Sequence, residues 1–316
     1  MPSGFGLTAL YREFEVNIYM NVGVSTDSGS GITPQESAEL GIRVVPMPFR
    51  IDDQEYYENI NLTREEFFEK LKNDHDIATS QPSMEDVMKV WDELLETCDQ
   101  IVHVPLSSGL SGSTQTAMML AQDEKYEGRV FVPDDRGVSV VQRQVAIFAT
   151  ELAARGYDGQ QICDILNRDA EQNQIYVGVD TLKYLKKGGR ITPMAAAIGT
   201  LLHIKPVLGI TNGGKLDSYT KVRTTRQVKD AIIKGLKSEL EGRLGDPEMK
   251  NCYVAIAYTD NPEQAADFAE ELKEAFPNRL NPEIAVRPLS LLISCHIGQD
   301  GLGAAVIERP AELIEA

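Results

Sequence analysis

The alternation of short apolar runs with helical patterns is the feature of this sequence that most limits its fold. In the first half, strand-like runs are followed by segments with the spacing of amphipathic helices. The predicted strands cover residues 16–25, 42–51, 101–106 and 129–132. Helices are predicted from Pro34, over 63–72 behind a capping box, over 84–97, from about Ser111, and over 139–154. Strands that alternate with helices indicate a parallel sheet covered on both faces, so we expect an N-terminal Rossmann-like domain.

The second half has more strands and fewer helices. Strands are predicted at 175–179, 205–211, 216–222, 252–258, 283–288 and 304–308, with helices at 224–240 and 262–275. Asn212-Gly213-Gly214 lies between two of these strands and is a hairpin signal, which implies antiparallel pairing. A length of 316 residues suits two domains. We therefore expect an α/β protein with a parallel-sheet domain at 1–166 and a C-terminal α/β domain at 167–316. The sheet of the second domain should be mixed and largely antiparallel.

The charge distribution limits the possible partners. A formal net charge of −17 argues against nucleic acid and anionic membrane surfaces, since both would repel the average surface of the protein. The segment 180–229 is different, because it holds ten basic residues and only two acidic ones. Such a segment forms either a solvated positive face or a docking surface for something anionic.

Several chemical functions lack their motifs. The four cysteines are widely spaced and no histidines lie at metal-ligand spacing, which predicts free thiols, a cytoplasmic location and no metal site. The sequence contains no P-loop, no complete dinucleotide fingerprint and no HExxH, so we expect no cofactor. The start of the chain does not resemble a signal peptide, and the apolar stretch 194–210 is too short and too polar to insert into a membrane.

Three loops are rich in small hydroxylated residues, at 25–30, 79–83 and 107–114. The third follows a predicted strand and opens a predicted helix, where backbone N–H groups and serine hydroxyls could hold a carboxylate or phosphate. Serine and threonine at such positions are also common helix caps. Near the C-terminus, His296 stands before a glycine-rich turn, at a predicted strand end.

These loops carry a family resemblance. The matching segments are STDS at 25–28, TSQPS at 79–83, SSGLSG at 107–112, DTLKYLKKGGRI at 180–191, IKP at 204–206, KVRT at 221–224 and HIG at 296–298. In this order they resemble the DegV family, bacterial fatty-acid-binding proteins that include the binding subunit of fatty acid kinase.

The resemblance implies a two-domain α/β protein that buries a long-chain fatty acid, such as palmitate, stearate or oleate, in a tunnel. Its carboxylate would bind near Thr79 and Ser80, one serine of the Ser107–Ser108 pair, His296 and Gly298. The protein would have no catalytic residue of its own. A separate ATP-dependent kinase subunit would convert the bound acid to an acyl phosphate for phospholipid synthesis, and Arg190 and Arg223 would support that interaction.

The physical chemistry of a buried fatty acid agrees with the expected carboxylate site and tunnel. Neutral hydroxyls can hold a buried carboxylate without enclosing an ion pair. A sixteen-carbon chain at about 0.8 kcal/mol per buried CH₂ offers roughly 10 kcal/mol of gross burial. Asp300, beside the expected head-group site, should face solvent. Two alternatives remain open: a serine acyl hydrolase that uses Ser108 or Ser111 with His296 as base, and a lipid-responsive regulatory protein.

Overall fold

A computed structural model of the protein describes residues 20–73, 75–197, 204–210, 213–281 and 283–314. In chain order the strands are β1 Val22–Asp27, β2 Ile42–Val45, β3 Phe49–Ile51, β4 Gln54–Tyr56, β5 Ile77–Thr79, β6 Gln100–Val104, β7 Val130–Phe131, β8 Asn173–Gly178, β9 Lys205–Ile210, β10 Leu216–Val222, β11 Cys252–Tyr258, β12 Ala285–Pro288 and β13 Leu302–Glu308. The helices are α1 Pro34–Leu40, α2 Arg64–Lys72, α3 Met84–Leu95, α4 Ser113–Leu120, α5 Val140–Ala154, α6 Gly159–Arg168, α7 Lys183–Gly188, α8 Pro193–Ala196, α9 Thr225–Glu241, α10 Pro262–Ala275 and α11 Leu291–Ile297.

A four-stranded parallel sheet organises the N-terminal half, with strand order β2-β1-β6-β7. Helices α3 and α4 pack on one face of this sheet, and α5 and α6 pack on the other. Because both faces are covered, the strands are apolar along most of their length. The predicted Rossmann-like arrangement is confirmed. Part of the predicted first strand, residues 16–19, lies outside the described residues.

The prediction of one strand over 42–51 is wrong. Strand β2 ends at Val45, and β3 begins at Phe49 in a different sheet. Pro46 and Pro48 stand between the two strands. Proline has no backbone N–H for the sheet ladder, so the chain leaves the parallel sheet there.

The small antiparallel sheet that follows, with order β4-β3-β5, was not predicted. Helix α2 packs on it through Phe67 and Phe68, and Phe67 meets Phe49 of β3 edge to face with ring centroids 5.7 Å apart. The helix begins at the predicted capping box, in which Thr63 and Glu66 bond each other's backbone N–H groups. We call the sheet and α2 together the small-sheet unit.

The C-terminal half contains a six-stranded sheet with order β10-β9-β8-β13-β11-β12. Its strands pair antiparallel except for β11 and β12, which pair parallel. The predicted mixed, largely antiparallel sheet is confirmed. Asn212 of the predicted hairpin turn lies outside the described residues, but β9 and β10 on either side of it pair antiparallel.

Helix α5 joins the two larger sheets, since its apolar residues share one buried cluster with β1 and β6 and with β11 and β13. Asn167 lies in the last turn of α6, and the six-stranded sheet begins soon afterwards at Asn173. On this basis we propose the two domains 1–166 and 167–316. Helix α11 belongs to the second by sequence, yet its residues Leu291, Leu292 and Cys295 are buried in the core of the small-sheet unit.

Candidate functional site

A cavity of about 300 Å³ lies between the loops that follow β2 and β6, the start of α5, the end of β5, the six-stranded sheet and α11. Most of its lining is apolar. These apolar residues come from both halves of the chain: Met47, Leu106, Leu110, Val138, Val140, Ile175, Val177, Leu185, Leu216, Ala257, Leu289, Leu292, Ile293, Ile297 and Ala304. Volumes of this size are at the lower end of those found for small-molecule sites.

The polar side chains of the lining are Thr79, Ser80, Gln81, Ser111, Ser139, Arg190 and His296. Ser139 stands at the start of α5, and we call the other six the polar cluster. One hydrogen bond joins two of its members. Thr79 bonds His296, and Nε of Arg190 donates to the Leu110 carbonyl beside Ser111 at 3.1 Å. One region of an otherwise apolar cavity is therefore equipped to bind a polar group.

Thr79 and His296 form the best-defined pair in this cluster. Thr79 ends β5, where its pairing with Phe49 of β3 fixes its position. His296 lies in the last turn of α11, and its Nε2 is 2.9 Å from the Thr79 hydroxyl. Burial, with a smaller contribution from the nearby Arg190 charge, lowers the pKa of His296 to about 4. The imidazole is thus neutral at neutral pH and can share hydrogen bonds with the hydroxyl in either direction.

The expectation that His296 lies at a strand end is wrong, because the residue belongs to a helix. Ser290 caps the start of α11, with its hydroxyl accepting a hydrogen bond from the Ile293 N–H at 3.4 Å. The helix spans only seven residues, which is too short for a clear helical period in the sequence.

Arg190 supplies the charge of the polar cluster. It follows α7 and the left-handed Gly189, and its Nη1 donates to the Gly188 carbonyl. Burial lowers the pKa of its guanidinium, which nevertheless stays charged. Within the described lining there is no aspartate or glutamate. A guanidinium has five N–H donors, so Arg190 keeps donors for an anion beyond its bonds to Leu110 and Gly188.

Ser107 and Ser108 are near the cavity but do not line it in the described part of the chain. The Ser107 hydroxyl is buried and lies 3.5 Å from the Gly214 carbonyl oxygen, and the Ser108 hydroxyl donates to Asp134. The backbone of Gly109 lies so close to the second domain that a Cβ there would come within 2.2 Å of the Gly213 carbonyl oxygen. The loop presents Ser111 to the cavity instead.

The other predicted residues lie outside the lining. Gly298 ends α11 with φ of +82°, and a Cβ there would come within 2.6 Å of the Tyr184 ring, so glycine is required for the packing of α7 on α11. Arg223 is exposed at the end of β10, and Asp300 is exposed as expected. Gln81, which sequence reasoning overlooked, lines the cavity and accepts a hydrogen bond from Thr116 at 3.2 Å.

The comparison with known proteins agrees with this architecture. A family model described as "Uncharacterised protein, DegV family COG1307" matches residues 21–309. This chain belongs to the DegV family. A DegV domain-containing protein of Staphylococcus aureus (strain MRSA252) is 29% identical to this DegV chain over 287 residues, which cover 90% of it and 98% of the relative.

Two solved structures of the family resemble this DegV chain closely. One is described as "Fatty Acid Binding of a DegV family Protein from Thermus thermophilus". It has a TM-score of 0.82 and 29% identity, and the match covers 92% of this chain and 100% of the Thermus thermophilus chain. Another, DegV from Bacillus subtilis, is described as a fatty acid binding protein. It has a TM-score of 0.78 and 26% identity, with 92% and 99% coverage. DegV proteins related to this chain therefore bind fatty acids.

Among the described residues, no group of three or more histidine, cysteine, aspartate or glutamate side chains could hold a metal ion. None of the helices in the described ranges has the length and apolarity needed to cross a membrane.

Proposed function

We propose that this protein binds one long-chain fatty acid in the cavity, with the acyl chain against the apolar lining and the carboxylate at the polar cluster. The observation that carries the proposal is the composition of the lining. It combines a long apolar surface with one guanidinium and several neutral donors, and its described residues include no acidic side chain. Such a site suits a ligand that is apolar along most of its length and anionic at one end.

The energetic contributions of the two ends differ. Burial of a sixteen-carbon chain supplies roughly 10 kcal/mol of gross stabilisation, which dominates the affinity. Thr79, Ser80, Ser111 and His296 would bind the carboxylate with neutral hydrogen bonds. Arg190 adds one charge-assisted bond, which modifies the expectation that only neutral groups hold the head group.

Presentation of the carboxylate to a partner enzyme is the second part of the proposal. In it, a separate ATP-dependent fatty acid kinase subunit phosphorylates the bound acid in the cytoplasm, and the acyl phosphate enters phospholipid synthesis. The basic segment 180–229 supports a contact with a nucleotide-bearing partner, and exposed Arg223 is well placed to take part. The protein itself contributes no catalytic residue and no cofactor to this reaction.

The geometry favours binding over the alternative of a serine acyl hydrolase. The Ser108 hydroxyl donates to Asp134, and the Ser111 hydroxyl accepts a hydrogen bond from Ser113 at 2.9 Å. The His296 Nε2 atom, which would have to act as the base, is bonded to Thr79. Activation of a serine needs a base within hydrogen-bond reach of that serine.

The kinase part is tested by reconstitution. Delipidated protein is loaded with palmitate, stearate or oleate, and mixed with ATP and a fatty acid kinase catalytic subunit, and acyl phosphate is trapped with hydroxylamine. We expect trapped product only when both proteins are present. Arg223→Ala should reduce product formation while leaving lipid loading intact, and Lys250→Ala, a change at an exposed lysine outside the basic segment, serves as control. Full lipid loading with no product would refute the kinase role, and leave the lipid-responsive regulatory alternative.

A further inference from the structure

Helix α11, which carries His296, is held at both ends by the small-sheet unit. At its C-terminal end, Thr79 of β5 bonds His296. At its N-terminal end, Arg64 of the same unit and Glu58 of the connection between β4 and α2 bond the backbone where the helix begins. Neither of these two residues lines the cavity in the described part of the chain, so they do not contact the ligand proposed above.

The contacts at the N-terminal end involve the backbone segment 289–291, which leads into α11. Nη2 of Arg64 donates to the Leu289 carbonyl at 2.8 Å, and also to the Thr259 carbonyl at 2.7 Å. Oε2 of Glu58 accepts a hydrogen bond from the Leu291 N–H, the first residue of α11, at 2.8 Å. A further ion-pair contact of 3.8 Å joins Nη1 of Arg64 to Oε1 of Glu58. The segment that leads into α11 is thus held by Arg64 through a carbonyl group and by Glu58 through an N–H group. We call Glu58 and Arg64 together the clamp.

Burial makes this clamp sensitive to change. The side chains of Glu58 and Arg64 are only 19% and 25% exposed. Burial raises the pKa of Glu58 and lowers that of Arg64, while their mutual attraction opposes both shifts. Removing one partner would leave the other charge partly buried and unpaired, which is unfavourable. The segment that enters α11 would then be free to shift.

The distance between the clamp and His296 is short. Helix α11 has seven residues, so it spans about 10 Å at 1.5 Å per residue. A rigid helix of that length transmits a displacement of its first residue directly to its last turn. Leu291 and Cys295, which are buried against the small-sheet unit, follow the same face of the helix toward His296.

We infer that Glu58 and Arg64 are positioning residues for the carboxylate site: they fix α11 so that the His296 imidazole stays against Thr79. The inference rests on the proposed fatty-acid function. It assigns a role in head-group recognition to two residues outside the cavity, and it separates them from the apolar lining that binds the acyl chain.

The test compares two ligands with the same chain. Palmitate has a carboxylate and 1-hexadecanol does not, so the ratio of their affinities measures head-group recognition. Glu58→Ala and Arg64→Met should each weaken palmitate binding roughly fivefold, the equivalent of about one hydrogen bond, with hexadecanol binding unchanged. Glu58→Gln should restore most of the ratio, because its amide oxygen can still accept from the Leu291 N–H, whereas the lost ion-pair contact with Arg64 is long, at 3.8 Å. Glu65→Ala, an exposed change on α2, is the matched control.

The outcomes distinguish three explanations. An equal loss for both ligands, or a Glu58→Gln variant as poor as Glu58→Ala, would assign the clamp to general stability and refute the inference. Wild-type protein that binds neither ligand would refute the proposed function itself. Circular dichroism checks folding of each variant, and if Glu58→Ala does not fold, Arg64→Met decides. In a Thr79→Ala background, Glu58→Ala should change the ratio no further, since the pair it positions is already lost.

Discussion

Replacing Asp135 with asparagine should stabilise this protein, and the gain should grow as the pH rises. Asp135 is 1% exposed, and within the described structure no side chain donates a hydrogen bond to its carboxylate. The nearby backbone N–H groups of Asp135 and Gly137 lower its pKa, but by less than burial raises it. Burial, together with the neighbouring Asp134 and Asp27 charges, raises its pKa from 3.8 to about 8. The folded protein therefore holds Asp135 in its neutral form at neutral pH.

The magnitude follows from this difference in pKa. Between pH 4 and pH 8 the folded state binds a proton that the unfolded state has released, so wild-type stability falls as the pH rises through this window. Each pH unit in the window costs about 1.4 kcal/mol. At pH 7 the total is roughly 4 kcal/mol, and at pH 5 it is less than about 2 kcal/mol. Asparagine has a similar shape and no ionisation, so it avoids this cost.

Urea unfolding of wild type and Asp135→Asn at pH 5, 6, 7 and 8 measures the effect. The difference in unfolding free energy between the two proteins should increase steadily across the series. Asp53→Asn, at an exposed turn, controls for the loss of one acidic group. A difference that is the same at pH 5 and pH 8 would show that Asp135 is not held neutral by the fold, and would refute the reasoning.

Three further predictions concern the head group, a buried histidine and a helix start. Arg190→Ala should weaken palmitate binding roughly tenfold in calorimetry, as expected for one charge-assisted hydrogen bond, and leave 1-hexadecanol binding unchanged. Unchanged palmitate affinity would contradict a role for Arg190 in carboxylate binding. Burial lowers the pKa of His103 to about 3, so wild type should lose stability as the pH falls below 6.5. As the pH falls from 7 to 4, the unfolding free energy of His103→Asn should therefore rise relative to that of wild type. Equal changes in both proteins would contradict this. Thr63→Ala removes the capping box of α2 and should cost about 1 kcal/mol in thermal unfolding, whereas a neutral result would mean that packing alone holds the helix.

Local sequence patterns predicted most of the two larger sheets. The alternation of apolar runs and helical segments depends on nearby residues, and it placed strands such as β10 and β11 and helix α10 at the observed positions. The capping box at Thr63 is equally local. These features can be predicted from the sequence because each element is determined largely by the residues within it.

The small antiparallel sheet and α11 could not be predicted in this way. Strands β3, β4 and β5 have three residues each, so no alternation is long enough to detect. Helix α11 is stabilised by burial against residues more than two hundred positions earlier, including the contact of Glu58 with Leu291. Such long-range pairing leaves no periodic signal in the sequence.

The candidate site was predicted in its residue types more than in its geometry. Thr79, Ser80 and His296 were named from their motifs, and they line the cavity. The serines of the 107–114 loop differ in their long-range partners, since Ser107 contacts the Gly214 carbonyl and Ser108 bonds Asp134, and such contacts cannot be predicted from the loop sequence. The family resemblance assigns Arg190 to the kinase interaction, and its basic segment agrees with that role, but the structure also places Arg190 on the cavity, after α7.

Native mass spectrometry of the purified protein, followed by extraction and identification of any released ligand, shows whether the protein binds one long-chain fatty acid. We expect one such acid per chain, or uptake of one equivalent of added palmitate or oleate by protein that is isolated empty. A protein that carries no lipid and takes up neither acid would contradict the proposed fatty-acid binding.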